Sequence, residues 1–186
     1  MGPTTIEREV KLSFDTVEQA REAIEAAGAT PMLGRRLQED ALLDDETESL
    51  RRRGCALRIR CENGKSRITF KGPIQSSPMK LRDEFETVVG DGVLLLRVFE
   101  ELGYHVWFRY EKYREEYASE DVIVAIDETP VGVYVEIEGS EQGITAMAER
   151  LGRGADDYVL DSYRGLFLKL REARGIAGPD MLFSPE

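Results

Sequence analysis

The chain has 186 residues, 41% hydrophobic and 33% charged, which suits one globular domain with a substantial core and excludes global disorder. Its formal net charge of -11 argues against a nonspecific grip on nucleic acid, where a basic surface supplies the affinity. No apolar run approaches the roughly 20 residues that cross a bilayer, and Met1-Gly2-Pro3-Thr4-Thr5 lacks the basic start and apolar stretch of a leader, so a cytoplasmic protein without a membrane partner is expected.

In chain order, the first strand is expected over about residues 4–12, where Glu7, Glu9 and Lys11 alternate with Ile6, Arg8, Val10 and Leu12. Successive side chains of a strand point to opposite faces, so two carboxylates and an ammonium share one face. Asp15-Thr16-Val17-Glu18 has the spacing of a capping box and opens a helix on Val17, Ala20, Ile24 and Ala27, ended by Gly28. Strands follow at about 36–44, 55–62, 66–72 and 80–89, with Glu62-Asn63-Gly64-Lys65 as a hairpin turn. A second helix follows Asp91 on a stripe of Leu94, Leu95, Val98, Phe99 and Leu102, ending at Gly103. Three more strands are expected at about 106–117, 121–128 and 132–139, then helices from Ser140 to Gly152 and from Asp161 to Gly175. Residues 4–175 form one domain in this reading. The stretch 176–186, with Gly178-Pro179 and Met181-Leu182-Phe183, is a tail that is either loose or docked.

Cys55 and Cys61 fall in phase with Leu57 and Ile59, so both read as packed thiols rather than a redox or metal pair. His105 is the sole histidine, which rules out a zinc site built on imidazoles. Trp107 and Phe108 suit core packing, with a homodimer surface as the other reading. Arg51-Arg52-Arg53 and Lys65 read as solvated surface charge.

The two-residue spacing of charge recurs in Arg58 with Arg60, Thr69 with Lys71, Arg82 with Glu84 and Glu86, Lys112 with Arg114, and Glu136 with Glu138. Each strand also has an apolar face that four amphipathic helices can cover, which turns the charged faces away from the helices. They then either line the interior of a closed barrel or form a solvated sheet face. Paired arginines on one face repel, and that favours an anionic partner over mere solubility. Lys11, Arg58, Arg60, Lys71, Arg82, Lys112 and Arg114 offer more positive charge than one phosphate needs, so a triphosphate fits. Glu7, Glu9 and a carboxylate from Glu136 or Glu138 suit a hard divalent cation, Mg2+ or Mn2+.

This ordered series resembles the CYTH family, the triphosphate tunnel metalloenzymes that include class IV adenylyl cyclases and thiamine triphosphatases. Glu7-Arg8-Glu9-Val10-Lys11 corresponds to the family's Glu-x-Glu-x-Lys signature. Leu57-Arg58-Ile59-Arg60, Thr69-Phe70-Lys71-Gly72-Pro73, Arg82-Asp83-Glu84-Phe85-Glu86, Lys112-Tyr113-Arg114, Asp127 and Glu136-Ile137-Glu138-Gly139 follow in the family's order. One departure is Leu42-Leu43-Asp44-Asp45, with Asp45 in a position that is threonine in many members. Covering residues 5–170, the resemblance implies an α+β protein: an eight-stranded antiparallel barrel open as a tunnel, with helices on its outer surface. It implies metal candidates Glu7, Glu9 and Glu138, an acidic set of Glu84, Glu86, Asp127 and Glu136, and a phosphate clamp of the seven cations named above. Lys11 and Asp127 are the candidates for assisting proton removal. Expected substrates are ATP, tripolyphosphate or thiamine triphosphate, with cyclisation and hydrolysis ranked level. A noncatalytic sensor of polyphosphate or nucleotide is the alternative.

Overall fold

The computed structural model describes residues 5–176 and 178–184. The readings of the Met1–Thr4 stretch and of positions 177, 185 and 186 of the tail therefore lie outside the described residues. Eight strands, β1 (Thr5–Phe14), β2 (Thr30–Asp45), β3 (Ala56–Glu62), β4 (Lys65–Lys71), β5 (Lys80–Val89), β6 (Tyr104–Ser119), β7 (Val122–Thr129) and β8 (Gly132–Gly139), close into one barrel in the order β1-β5-β4-β3-β2-β6-β7-β8. Every pair is antiparallel. Closure removes the free edges that would otherwise invite pairing with another chain.

The helices are α1 (Val17–Ala26), α2 (Ser49–Arg52), α3 (Gly92–Glu101), α4 (Glu141–Arg150) and α5 (Tyr163–Arg174). Thr16, Asp91, Ser140 and Ser162 cap four of them, each side chain accepting a hydrogen bond from a first-turn amide. Between β3 and β4, Asn63 and Gly64 both take positive φ (49° and 71°), as a two-residue hairpin turn requires. The largest core cluster joins Val10, Leu12, Val124, Ile126, Val135 and Ile137 of the barrel's outer face to Ala20 and Ile24 of α1 and to Ile144, Met147 and Ala148 of α4. The helices thus cover the apolar sides of the strands, and the charged sides turn inward.

Several elements differ from the sequence reading. β2 and β6 each run 16 residues, longer than expected, because register shifts let them bend with the barrel. The short α2 carries no apolar period and escaped detection. The expected stripe on α3 divides: Leu95, Leu96 and Phe99 pack on the barrel, while Leu94, Val98 and Leu102 face solvent. Cys55 is buried but Cys61 only partly so. Phe108 is 2% exposed within an aromatic cluster of Tyr110, Tyr134, Tyr163 and Phe167, so core packing is its role. Among the described residues, no helix is long and apolar enough to cross a membrane.

The tail is docked. Its Met181 amide donates to Arg109 O, and Met181 O accepts from the Glu111 amide, a parallel bridge on the stretch of β6 that precedes its pairing with β7. Asp180 accepts from the Arg109 amide and Phe183 packs on Tyr113. With Met181 fully buried, Met181→Ala is expected to lower stability by about 2–5 kcal/mol. A urea unfolding midpoint unchanged from wild type would show that the docked segment contributes nothing.

Candidate functional site

The barrel encloses a tunnel of about 820 Å3. Among the described residues, twelve Lys and Arg and nine Asp and Glu line it, although acids exceed bases 36 to 25 over the whole chain. Asp40 and Asp127 stand buried among the cations they hold, and with them included the acids remain the minority. Every cation expected from the sequence, Lys11, Arg58, Arg60, Lys71, Arg82, Lys112 and Arg114, lines this one space, as do Glu7, Glu9, Glu84, Glu86, Glu136 and Glu138.

Strand register explains the arrangement. Glu7 sits opposite Arg82 and Glu9 opposite Lys80 across β1 and β5, and Lys11 sits opposite Glu136 across β1 and β8. Lys71 Nζ donates to Glu7 Oε1 at 2.5 Å and reaches Glu84 Oε2 at 2.8 Å, while Arg82 Nε donates to Glu7 at 3.1 Å. Lys11 Nζ lies 3.2 Å from Glu9 and 3.3 Å from Glu136, and Lys80 also donates to Glu9. Arg60 grips Asp40 through two bonds of 2.9 and 3.2 Å, and Arg58 donates to Thr69 at 3.0 Å. Asp127, fully buried, accepts from Lys112 at 2.7 Å, from Arg114 at 2.6 and 2.7 Å and from the Tyr163 hydroxyl at 2.6 Å. Arg114 donates to Glu136 as well.

These contacts set protonation. Burial favours a neutral Lys11, but Glu9 and Glu136 outweigh it and hold the ammonium above the usual lysine range, so Lys11 stays charged. Burial, reinforced by Lys11 and Arg82 beside Lys80 and by Arg114 and Arg60 beside Lys112, brings both lysines down to about 8. Burial and Glu9 push Glu7 up, yet Lys71 and Arg82 win and hold it below the ordinary value. Glu9 lies well below that value, because Lys11 and Lys80 override its burial. Glu138 behaves in the opposite way. It sits at the tunnel mouth, open to solvent as a residue, while partial loss of water around its carboxyl and the neighbouring Glu7 and Glu9 push it up to about 7.

Among the described residues, no three carboxylates have already converged into a metal-binding set, because lysines and arginines stand between them. The donor chemistry nonetheless fits a hard cation. Glu7, Glu9 and Glu138 supply only oxygen, and Glu7 and Glu9 lie near enough to Glu138 to add to the rise that burial of its carboxyl begins.

The tunnel's ends differ. At one lie Glu62, Glu116 and Glu138 with Arg36, which reaches Glu116 at 2.6 Å and Glu62 at 3.0 Å. At the other, the end of β2, the start of β3 and the start of β6 meet the first turn of α5 around Leu42, Ala56, Trp107 and Leu160. Leu42 pairs with Phe108 and Leu43 with Val106, so Trp107 is the extra residue of a β-bulge, a device that re-aims a side chain. Arg51, expected to be mere surface charge, reaches this mouth with its guanidinium 4.2 Å from the Trp107 ring. Asp44 positions it, accepting from the Leu50 and Arg51 amides and from Arg51 Nε, while Asp45 accepts from Thr47 and Ser49.

Sequence reasoning missed Lys80, Asp40, Arg36, Glu62, Glu116 and Tyr163. Lys80 continues the Arg82, Glu84, Glu86 alternation one step toward the N-terminus, and Asp40 falls two residues from Gln38 and Leu42, so both were visible in period. Tyr163 had no such signal, since it enters the site from a helix.

A sequence profile described as the CYTH domain matches residues 5–163. A protein of Methanocaldococcus jannaschii bearing the name "putative adenylate cyclase" is 31% identical over 136 residues, which cover 73% of this chain and 77% of that protein. A solved structure from Vibrio parahaemolyticus with the same designation superposes at a TM-score of 0.77 and 16% identity over 89% of this chain and 99% of its own, a likeness of fold. A protein of Pyrococcus horikoshii, 27% identical, superposes at 0.72 over 84% and 96%.

Because the folded value of Glu138 lies above its ordinary 4.5, the folded state binds this proton more tightly than the unfolded chain does. Stability is therefore fully present below about 4.5 and declines as pH rises toward about 7. Glu138→Gln is expected to raise the melting temperature in the presence of a chelator at pH 8 and to change it far less at pH 4. Equal shifts at both pH values would contradict this account of the carboxyl.

Proposed function

Since this chain belongs to the CYTH domain family, we propose that its tunnel binds a triphosphate together with Mg2+ or Mn2+ and cleaves one of its phosphoanhydride bonds. The observation that carries this reading is the tunnel's excess of cations within an acidic chain. A low-dielectric channel focuses that local potential on a polyanion while the outer surface stays negative.

Arg58, Arg60, Arg82 and Arg114 offer planar forks to phosphate oxygens, and Lys11, Lys71, Lys80 and Lys112 offer point charges. Glu7, Glu9 and Glu138 would hold the divalent cation, which when bound neutralises charge on bridging and terminal phosphate oxygens. Glu136 orients Lys11 and Arg114, which it touches from either side. Of the two residues expected to assist proton removal, Lys11 is held as an ammonium and therefore suits donation to a leaving oxygen instead. Asp127, held by three donors, fixes Lys112, Arg114 and Tyr163 in place. Glu84 pairs with Lys71 and Glu86 with Arg58, which offsets the mutual repulsion of the cations along the wall.

The clamp serves two reactions. In hydrolysis a water oxygen bonds to the terminal phosphorus, the bridging P–O bond breaks and the water's proton passes to solvent. In cyclisation a 3'-hydroxyl oxygen bonds to the α-phosphorus, the bond from that phosphorus to the α,β-bridging oxygen breaks, pyrophosphate leaves and the hydroxyl's proton passes to solvent. Both depend on in-line positioning and charge neutralisation more than on covalent help. Incubation with Mg2+ or Mn2+ and ATP, tripolyphosphate or thiamine triphosphate separates them: orthophosphate marks the hydrolase, cyclic AMP with pyrophosphate the cyclase, and binding without turnover of any of the three overturns the enzymatic reading in favour of a sensor.

Glu9→Gln is expected to abolish metal-dependent turnover with folding retained, checked by circular dichroism beside the assay. Arg58→Ala is expected to weaken tripolyphosphate binding by about 1.5–3 kcal/mol in calorimetry. Unaltered affinity would remove Arg58 from the clamp.

A further inference from the structure

β6 pairs with β2 along its length, but β7 joins its other edge only from Tyr113 onward, where Tyr113 stands opposite Glu128. Ahead of that point the Arg109 and Glu111 backbone groups look onto an edge that no other strand of the barrel fills among the described residues, and the tail fills it. The Met181 amide donates to Arg109 O and the Glu111 amide donates to Met181 O, both at 3.0 Å, while the Arg109 amide donates to Asp180 Oδ1 at 2.7 Å. The Phe183 amide adds a bond to the Glu111 carboxylate at 3.1 Å. The match to the CYTH domain ends at residue 163, so this seat is built from a part of the chain beyond the match.

Seated in this way, Met181 has no exposed surface and enters the aromatic cluster of Phe108, Tyr110, Tyr134, Tyr163 and Phe167. Three of these rings, Phe108, Tyr110 and Tyr163, also line the tunnel. Tyr163 lies 6.4 Å from Tyr110 and 5.8 Å from Tyr134, ring centre to ring centre, and its hydroxyl donates to Asp127, which also holds Lys112 and Arg114. Close-packed side chains transmit strain, so a change of volume on one side of such a layer is felt on the other. Met181 backs the layer whose front is the Tyr163 hydroxyl.

We propose that residues 180–183 are a positioning segment for the tunnel: docked on β6 ahead of its pairing with β7, they hold Tyr163 against Asp127 and so fix Lys112 and Arg114 for phosphate. The segment acts through Tyr163 and not by contact with the ligand. This rests on the triphosphate reading and adds to it a coupling, in which docking of the tail and binding of the polyanion favour each other. Such coupling is reciprocal: the factor by which an undocked tail weakens the polyanion is the factor by which the bound polyanion tightens the tail.

The intact chain is titrated with tripolyphosphate in Mg2+ by calorimetry as wild type, Met181→Ala, Met181→Leu and Ile24→Ala, with circular dichroism as the check on folding. Ile24, also without exposed surface, packs in the separate cluster under α1 and controls for loss of stability alone. Met181→Ala is expected to bind about tenfold more weakly. Met181→Leu, which keeps the apolar volume, is expected to bind close to wild type, and Ile24→Ala as wild type. A second measurement needs no variant: in wild type, hydrogen exchange of the Met181 and Glu111 amides is expected to slow about tenfold when tripolyphosphate is bound, while the Ala27 amide at the end of α1 is unaltered. Wild-type affinity in Met181→Ala, equal loss in Met181→Ala and Ile24→Ala, or exchange of the two amides indifferent to the ligand overturns the positioning role and leaves the triphosphate reading standing. Absence of tripolyphosphate binding by wild type overturns both.

Discussion

Ionised side chains inside this barrel are tolerated only because each is placed against charge of the opposite sign. Removing an ammonium or carboxylate from water costs several kcal/mol, and the attraction of a partner repays it only when geometry is good and the remaining hydrogen bonds are met. Lys11, 1% exposed, lies between Glu9 and Glu136, and Asp127, 0% exposed, takes three donors. Such pairs demand the register seen across β1, β5 and β8. A slip of one residue would send the whole charged row of β1 against Ala20, Ile24 and Ile144 on the helical side. The same charges that define the site therefore also specify the strand pairing.

This dependence has a consequence for any anionic guest. The cations of the tunnel are already desolvated and already held by carboxylates, so an incoming phosphate exchanges one set of oxygens for another and need not strip water from mobile side chains. The displaced carboxylates then require a counter-charge of their own. Glu138 is held above the ordinary carboxyl range by burial and by the neighbouring Glu7 and Glu9. On the proposed reading, a polyanion and a divalent cation arriving together would balance both halves of the exchange, whereas either alone would leave buried charge uncompensated.

How much of this was legible depends on the period of each element. Strands with strict alternation, such as Glu7-Arg8-Glu9-Val10-Lys11, declared both their conformation and their inward face, and the seven cations read from that rule all line the tunnel. Legibility failed where the rule breaks. β2 begins at Thr30, but register shifts around Leu33 and Arg36 interrupt its alternation, so its first residues and Arg36 were invisible. α2 spans only Ser49–Arg52 and is held by Asp44 and Asp45 rather than by an apolar stripe. On α3 a broad apolar surface suggested one buried face, and only the placement of β3, β4 and β6 decides which part of it is covered. Tyr163 reaches Asp127 through a fold-back of the chain that no local pattern encodes.

Departures from regular alternation occur at both ends of the barrel, around Leu33 and Arg36 at the acidic mouth and at Trp107 at the other, and they give the tunnel a direction. A perfectly regular barrel of alternating charge would present two similar openings. Here the bulge at Trp107 and the hydrogen bonds from the first-turn amides of α2 to Asp44 and Asp45 bring an indole and Arg51 to one mouth. The first turn of α5, capped by Ser162, adds Arg164 and inserts Tyr163 beneath Lys11 and Lys112, whose ammonium groups lie 5.3 and 5.0 Å from its ring. Tyr163 thereby couples the mouth to the charged interior, since the helix that carries Arg164 is pinned to Asp127 one residue earlier. Polarity in this tunnel arises from irregular elements laid on a regular charged wall, whose alternation alone gives no direction.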